Sequence, residues 1–441
     1  VLGWLAGLVL LGGCGGEAPP ANLLLISIDT LRADHLGLYG YGRGTSPFLD
    51  RLAARGVTFE RAYAPSPWTL PSHASLLTGL YPSHHGAFNE KLALPPGIRT
   101  LAGRLAARGF ATGAVVNCWF LDERYGLDRG FESYTNVPAR LRRGGTATSV
   151  TALALRWLGG LGERPFFLFL HYYDVHSDYN AEEQYEAQFR RPYEGDIDGS
   201  TAQLREIQRG ERHLDGAGRD RLVDLYDAEI RQMDARLEAL FEQLEAAGRL
   251  EGSLVVITSD HGEEFLEHGG VLHGGTYYEE VLRVPLVVVG PGVPAGLRVD
   301  TPVSLVDLAP TLVGLVGEPA AGGEAFDGLD VSSLWRGVSG GWPERSLYGE
   351  ADSVLKRRQR FRSVLRGWHK LIVARATGAY ELYDLRTDPK EKRNIASQHH
   401  QLARALEAEL EVALGRTRPG RALPPLSPEH RAQLEALGYA Q

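Results

Sequence analysis

The sequence predicts an α/β protein: a three-layer sandwich on a mostly parallel central sheet, with a small antiparallel subdomain at the C-terminal end. Short, nearly continuous apolar runs of strand length recur along the chain, the mark of strands buried on both faces. Amphipathic helical stretches lie between them and close at glycines. From about Ser346 the runs shorten and are spaced by turns, as in an antiparallel meander. The 441 residues, 43% of them hydrophobic, are ample for a large buried core.

Residues 1–21 stand apart. Their apolar run is too short to span a bilayer and suits a signal-peptide core. It passes through Leu11-Gly12-Gly13 into Cys14, like a bacterial lipoprotein processing site, and a Gly/Ala/Pro tether follows. The expectation is a protein of the cell envelope, periplasmic or on the outer surface, touching the membrane only through a lipid on Cys14. A short buried helix is the alternative.

Asn22–Ile28 (NLLLISI) is the first expected strand, followed by Gly113–Val116, Pro165–Leu170, Leu254–Thr258 and Pro285–Val289. Helices are expected over Ser46–Arg55, Thr100–Arg108 and Arg219–Ala247, before Gly56, Gly109 and Gly248. The last is charge-rich and reads as a solvated amphipathic helix. Arg190–Gly216 is polar and glycine-rich, and reads as a surface insertion. Alternating strands and helices make residues 22–345 the main domain. Arg362–Leu365, Lys370–Val373 and Glu381–Asp384 belong to a second unit, residues 346–441, ending in helices.

In such folds ligands collect beyond the carboxyl ends of the strands. Asp29 follows the first strand, Asp260 and His261 follow LVVIT, and His171, Asp174 and His176 follow PFFLFL. Three strands thus deliver carboxylates and imidazoles to one sheet edge. Asp29, Asp260 and His261 form an oxygen-plus-imidazole set suited to one divalent cation: zinc, manganese, magnesium or calcium. The plain alternatives are an N-cap role for Asp29 and a simple turn at Ser259–Gly262. Two cysteines exclude a disulfide scaffold and a cysteine-built zinc site. A net charge of −8 argues against a nucleic-acid partner but leaves an anionic substrate open, because a bound cation inverts the local potential.

Ser66–Gly79 (SPWTLPSHASLLTG) resembles the sulfatase signature, in which Cys or Ser, any residue, Pro, any residue and Arg precede a small and apolar helix ending in Leu-Thr-Gly. Asp29–Gly37 and Thr258–Gly262 are similar to the two metal-binding loops of that family. Tyr278-Glu279, Arg283-Val284-Pro285, Asp307–Thr311, Glu381–Leu385, Asp388-Pro389 and Asn394 follow as further landmarks in the family's order. The resemblance implies an alkaline-phosphatase-like sandwich and a metal-dependent ester hydrolase acting on a small-molecule, glycan or lipid ester.

Four departures bear on the substrate. Aligning Pro71 with the signature proline puts Thr69 at the nucleophile position and His73 at the arginine position. Threonine is not the precursor of formylglycine, so that cofactor is not expected; it is the direct nucleophile in phosphoryl-transfer relatives. Thr30 replaces a second aspartate, and Asp260-His261 replaces Asp-Asn. The lysine before Tyr-Glu is absent near Gly274, where His273 stands. All four lean towards phosphodiester, phosphomonoester or phosphonate substrates. A cation held by Asp29, Asp260, His261 and Thr69 would activate the Thr69 hydroxyl. His73, His176 and His273 would donate to non-bridging oxygens or protonate the leaving group.

Simpler readings stand beside these. Thr69 is also a possible helix N-cap and His73 a packed helix residue. Asp174 and His176 with His273 form either a second metal site or substrate contacts. His84 and His85 could stand behind the site, His268 reads as solvated, and Cys118 as a buried small residue. An envelope transferase of phosphoglycol or phosphoethanolamine type, and a non-catalytic metal-stabilised binding protein, are the rival functions.

Overall fold

The computed structural model describes residues 20–138, 145–317, 325–336, 342–352, 360–425 and 427–428. The anchor expected on Cys14 lies outside these residues. Among them no helix is long and apolar enough to cross a membrane.

The central sheet is built from β1 (Asn22–Ile28), β2 (Val57–Phe59), β3 (Ala111–Val116), β4 (Ser133–Asn136), β5 (Phe166–Tyr172), β6 (Ser253–Thr258), β7 (Leu286–Val289) and β8 (Leu297–Val299). They lie in the order β8-β2-β7-β6-β1-β5-β3-β4. From β6 to β4 every pairing is parallel. Only β7 runs antiparallel to both its neighbours. The expected strands are all present, each within a few residues of its sequence bounds.

Alternation across the pleat explains why β1 is apolar throughout. Leu23 and Leu25 face one layer with Phe167, Phe169, Leu254 and Val256. That layer holds α2 (Thr69–Thr78), α3 (Leu101–Ala106) and α7 (Leu308–Leu315), through residues such as Leu70, Leu105 and Leu312. Leu24 and Ile26 face the other layer with Phe166, Leu168, Val255 and Ile257. There α1 (Pro47–Ala53), α4 (Ala147–Gly159) and the long α6 (Gly216–Ala246) supply Leu49, Val150 and Leu237. Each such side chain contributes about 1.5–3 kcal/mol on full burial, so a strand covered twice has no position for a polar residue until its end.

Helix α6 corrects the solvated reading of its charges. Asp224, Asp227, Glu229 and Asp234 are buried. Each is matched to a donor: Asp224 and Asp227 to Arg43, Glu229 to the Asn180 N–H, and Asp234 to the N–H groups of Phe48 and Leu49. The acidic face is therefore an internal bonding face. The insertion Arg190–Gly216 is also more ordered than its composition suggested. It contains α5 (Thr201–Gln208), capped by Ser200, with Leu204 buried beneath it.

In the C-terminal region β9 (Ser346–Asp352), β10 (Arg360–Arg366), β11 (His369–Ala374) and β12 (Ala379–Asp384) pair antiparallel in chain order. One face places Leu347, Leu365, Ile372 and Tyr383 in the same core as the α2 layer. The other packs Val364, Leu371 and Leu382 against Leu406 and Leu410 of α8 (His400–Leu414).

Candidate metal centre and active site

The three innermost strands set the site. Parallel register aligns Ser27 of β1 with His171 of β5 and with Thr258 of β6. Asp29 and Asp260 each stand two residues further on, so both carboxylates arise at the same height above the sheet edge. Helix α2 begins over that edge. Its N-cap is Trp68, extended at φ −159° and ψ 161°, and makes no side-chain cap; Thr69 is the first helical residue, so its hydroxyl is not spent as an N-cap.

Asp29, Asp260 and His261 converge, as the sequence predicts, with their ligand atoms all within 4.8 Å of one another. His261 Nε2 lies 3.7 Å from Asp29 Oδ1 and 3.3 Å from Asp260 Oδ2. Thr69 Oγ1 is 3.4 Å from the same nitrogen. His261 Nδ1–H donates to the Gly262 carbonyl at 3.0 Å, which leaves Nε2 as a lone pair aimed among the acids. Gly262 is required there, since a Cβ would run into the Glu280 carbonyl oxygen. On the other side Tyr226 holds the Asp29 loop, donating to the Thr30 carbonyl at 2.7 Å and accepting from the Arg32 N–H at 2.9 Å. Thr30 itself sits at φ 55°, a left-handed conformation unusual for a β-branched residue.

These groups fit a divalent cation. Both Asp29 oxygens and Asp260 Oδ2 are buried without a hydrogen-bond partner. Buried carboxylates are otherwise paired, so three orphan oxygens around one imidazole lone pair need a positive charge between them. Burial raises the Asp29 carboxyl to about 7, with Glu263 adding to it and His261 opposing it. Burial and the nearby Asp29 raise Asp260 in the same way. A cation would reverse both shifts.

The remaining expected residues divide. His273 lies against His261, ring centroids 4.4 Å apart, and His176 lies 5.0 Å from His273. Each is 5% exposed whereas the ligand set is at 0%, so they form the side of the site nearest solvent. His73 does not reach that side. Its Nδ1–H donates to the Thr69 carbonyl at 2.9 Å and its Nε2 pairs with Ser27 Oγ at 2.9 Å, while burial lowers it to about 4. Both nitrogens are occupied by protein, which makes it a residue that positions Thr69 and corrects the proton-donor expectation.

Asp174 is not a second-site ligand either. Its carboxylate accepts from the Ala147 N–H at 2.9 Å and from the Thr146 hydroxyl at 3.3 Å, at the start of α4. His84 pairs with Asp327 and His85 with Ser75 and the Pro71 carbonyl, apart from the ligand set. His268 is stacked on Tyr278 at 3.5 Å and paired with Glu280, not solvated. Cys118 is buried as expected. Its thiol lies close enough to Asp29 and Asp260 that burial and their charges push it well above its ordinary range.

Three further residues belong to the site. Glu263 accepts from His273 Nδ1–H at 3.0 Å and from the Tyr179 hydroxyl at 3.0 Å. Asn117 meets His171 Nδ1 at 3.1 Å, and His171 Nε2 faces Asp29 Oδ2 at 3.3 Å. For Glu263 and His171 the signal was their place beside the metal loop and at a strand end; Asn117 carried none.

Comparison with known proteins bears on the fold and the family. The sulfatase family model matches residues 21–318, and the model of the N-sulphoglucosamine sulphohydrolase C-terminal region matches residues 267–417. Arylsulfatase A of Homo sapiens is 30% identical over 77% of this chain and 72% of its own length. Steryl-sulfatase of Mus musculus is 27% identical over 94% of this chain and 85% of its own. Among solved structures, phosphonate monoester hydrolase of Agrobacterium radiobacter superposes with a TM-score of 0.73 at 22% identity, covering 90% of this chain and 95% of that one. A 2-O GAG sulfatase gives 0.74 at 21% identity, covering 90% and 92%.

Proposed function

The chain belongs to the sulfatase family and is an ester hydrolase, and from that premise we propose that it works with one divalent cation and with Thr69 as its direct nucleophile. The observation that carries this reading is the set of orphan carboxylate oxygens of Asp29 and Asp260, sealed from water beside the Thr69 hydroxyl. Asp29, Asp260, His261 and Thr69 would hold the cation. When bound, it would lower the pKa of the hydroxyl and stabilise charge on the ester oxygens.

The chain's own residues supply the rest. Thr69 opens a ten-residue helix, whose N-terminal potential favours negative charge at the attacked centre. His73 fixes the backbone of that first turn by holding the Thr69 carbonyl. His273 and His176 are both kept neutral, His176 at about 3, by burial. Their Nδ1–H groups donate to Glu263 and to the Ser177 carbonyl, so Nε2 is free of its proton in each. An anionic ester beside them would favour protonation, after which Nε2–H donates to a non-bridging oxygen or to the leaving group.

For substrate we favour phosphodiesters, phosphomonoesters or phosphonates over sulfuric esters. Thr69 supports this in place of a formylglycine precursor, and so does His261 in place of asparagine. A lipid on Cys14, supported by the apolar run ending in Leu-Gly-Gly-Cys, would keep the enzyme in the cell envelope.

The test is a panel of aryl sulfate, phosphodiester and phosphonate monoester, run on purified protein with metal analysis. Turnover is expected to disappear on chelation and return with added divalent metal. Thr69→Ala should keep its metal and lose at least about a thousandfold in rate. Full activity in Thr69→Ala would overturn the nucleophile assignment.

A further inference from the structure

We infer that Arg205, in the insertion Arg190–Gly216, is a substrate-binding residue whose guanidinium holds the anionic head of the ester, an assignment that rests on the reading of the Asp29–Thr69 site as the reaction centre. Helix α5 is fastened to that site along one face. Thr201, its first residue, donates its hydroxyl to Ser177 Oγ at 3.2 Å. Ser177 in turn holds His176, whose Nδ1–H it takes on its carbonyl at 2.8 Å. Leu204 is buried in one cluster with Tyr179, Val271 and Leu272, and Leu272 is the residue before His273. Residues three and four apart share a face of a helix, so Thr201, Leu204 and Arg205 look the same way. Arg205 therefore stands over the His176 and His273 side, the one nearest solvent.

Its charge is felt there. Burial holds His273 well below its ordinary range, and His261 and Arg205 add to the effect. Burial also raises the Glu263 carboxyl, against the pull of His176, His261, the Tyr179 hydroxyl and Arg205. A guanidinium that acts on two side chains of the site is within Coulombic reach of an ester lying against them. The other groups on this side cannot take its place. His176 and His273 are kept neutral by burial, and His73 is bonded to protein through both nitrogens. A guanidinium keeps its charge across the working pH range, and its planar fork matches two oxygens of a tetrahedral anion. Gln208, one turn along the same face, accepts from Arg205 Nη1 at 2.9 Å; it is uncharged, so the bond steadies the side chain and leaves the charge intact. Arg205 is also half-buried, where a charged hydrogen bond is stronger than on the open surface.

Calorimetric titration of inorganic phosphate into the Mn2+-loaded protein tests this without needing turnover. Arg205→Gln is expected to bind phosphate at least about tenfold more weakly than the wild type, and to raise KM for the best ester of the panel by a similar factor with kcat within about threefold. Arg205→Lys, which keeps the charge and loses the fork, should recover part of the affinity. Arg209→Gln, which removes an exposed charge paired with Glu211 just past the end of α5, should leave both constants unchanged. Equal phosphate affinity and equal KM in Arg205→Gln would overturn the assignment, as would a wild type that binds no phosphate. An equal loss in Arg209→Gln would also overturn it, by reducing the effect to one of net charge. Phosphate binding that depends on Arg205, in a protein whose Thr69→Ala variant keeps full activity, would sink the nucleophile reading and leave the anion contact standing.

Discussion

Asp29 and Thr30 are adjacent, yet one meets the site with its side chain and the other with its backbone. Asp29 offers two unsatisfied oxygens, while Thr30 bends the chain at φ 55° and gives its carbonyl to Tyr226. His73 shows the same separation of roles, since both its nitrogens are bonded to protein, to the Thr69 carbonyl and to Ser27. His73→Gln is accordingly expected to lower kcat about ten- to hundredfold while leaving both limbs of the pH–rate profile where they were. A profile that loses one limb would restore His73 as a proton donor. The residues that could be read from sequence, Asp29, Asp260, His261 and Thr69, are those whose chemistry is announced by a strand end or a helix start. Asn117 was silent, and Glu263 was marked only by its place beside the metal loop. Their part depends on a partner brought alongside through the sheet or across a turn, and no local pattern encodes that.

Strands were legible because burial on two faces leaves a run of apolar letters that little else produces. Helix α6 was legible in extent and misleading in character. Acidic residues look alike in a sequence whether they meet water or a buried N–H, and here Asp224, Asp227 and Asp234 meet donors. Asp234 has a consequence in pH. Burial raises its carboxyl from the ordinary 3.8 to about 6, against the pull of the Phe48 and Leu49 amides. Between those values the folded chain holds a proton that the unfolded chain has released. Its contribution to stability is thus full below about pH 4 and is lost as the pH rises through 6. Chemical denaturation of the wild type and of Asp234→Asn across that interval should show the difference in stability between them changing with pH. Parallel curves would refute the assignment.

Across the whole molecule the C-terminal sheet is joined to the main body by charge as well as by apolar contact. Lys370 on β11 is buried and lies 3.0 Å from both Glu279 and Glu391. Lys370→Met should destabilise the protein by about 3–5 kcal/mol, since Glu391 would remain buried without a counter-charge. Urea unfolding measures this, and Glu391→Gln added to the same variant should recover part of the loss. The central sheet carries a different consequence, one of timing. Strand β1 pairs on one edge with β5 and on the other with β6, whose Ser253 is 231 residues from Asn22. A ribosome adding roughly 5–20 residues per second needs on the order of ten to fifty seconds to cover that stretch. Throughout that interval the nascent chain carries a bare edge of leucine and isoleucine, a template for pairing with any neighbour. Escort by a holding chaperone during synthesis is the natural remedy, and the strands that build the catalytic floor are the ones most in need of it.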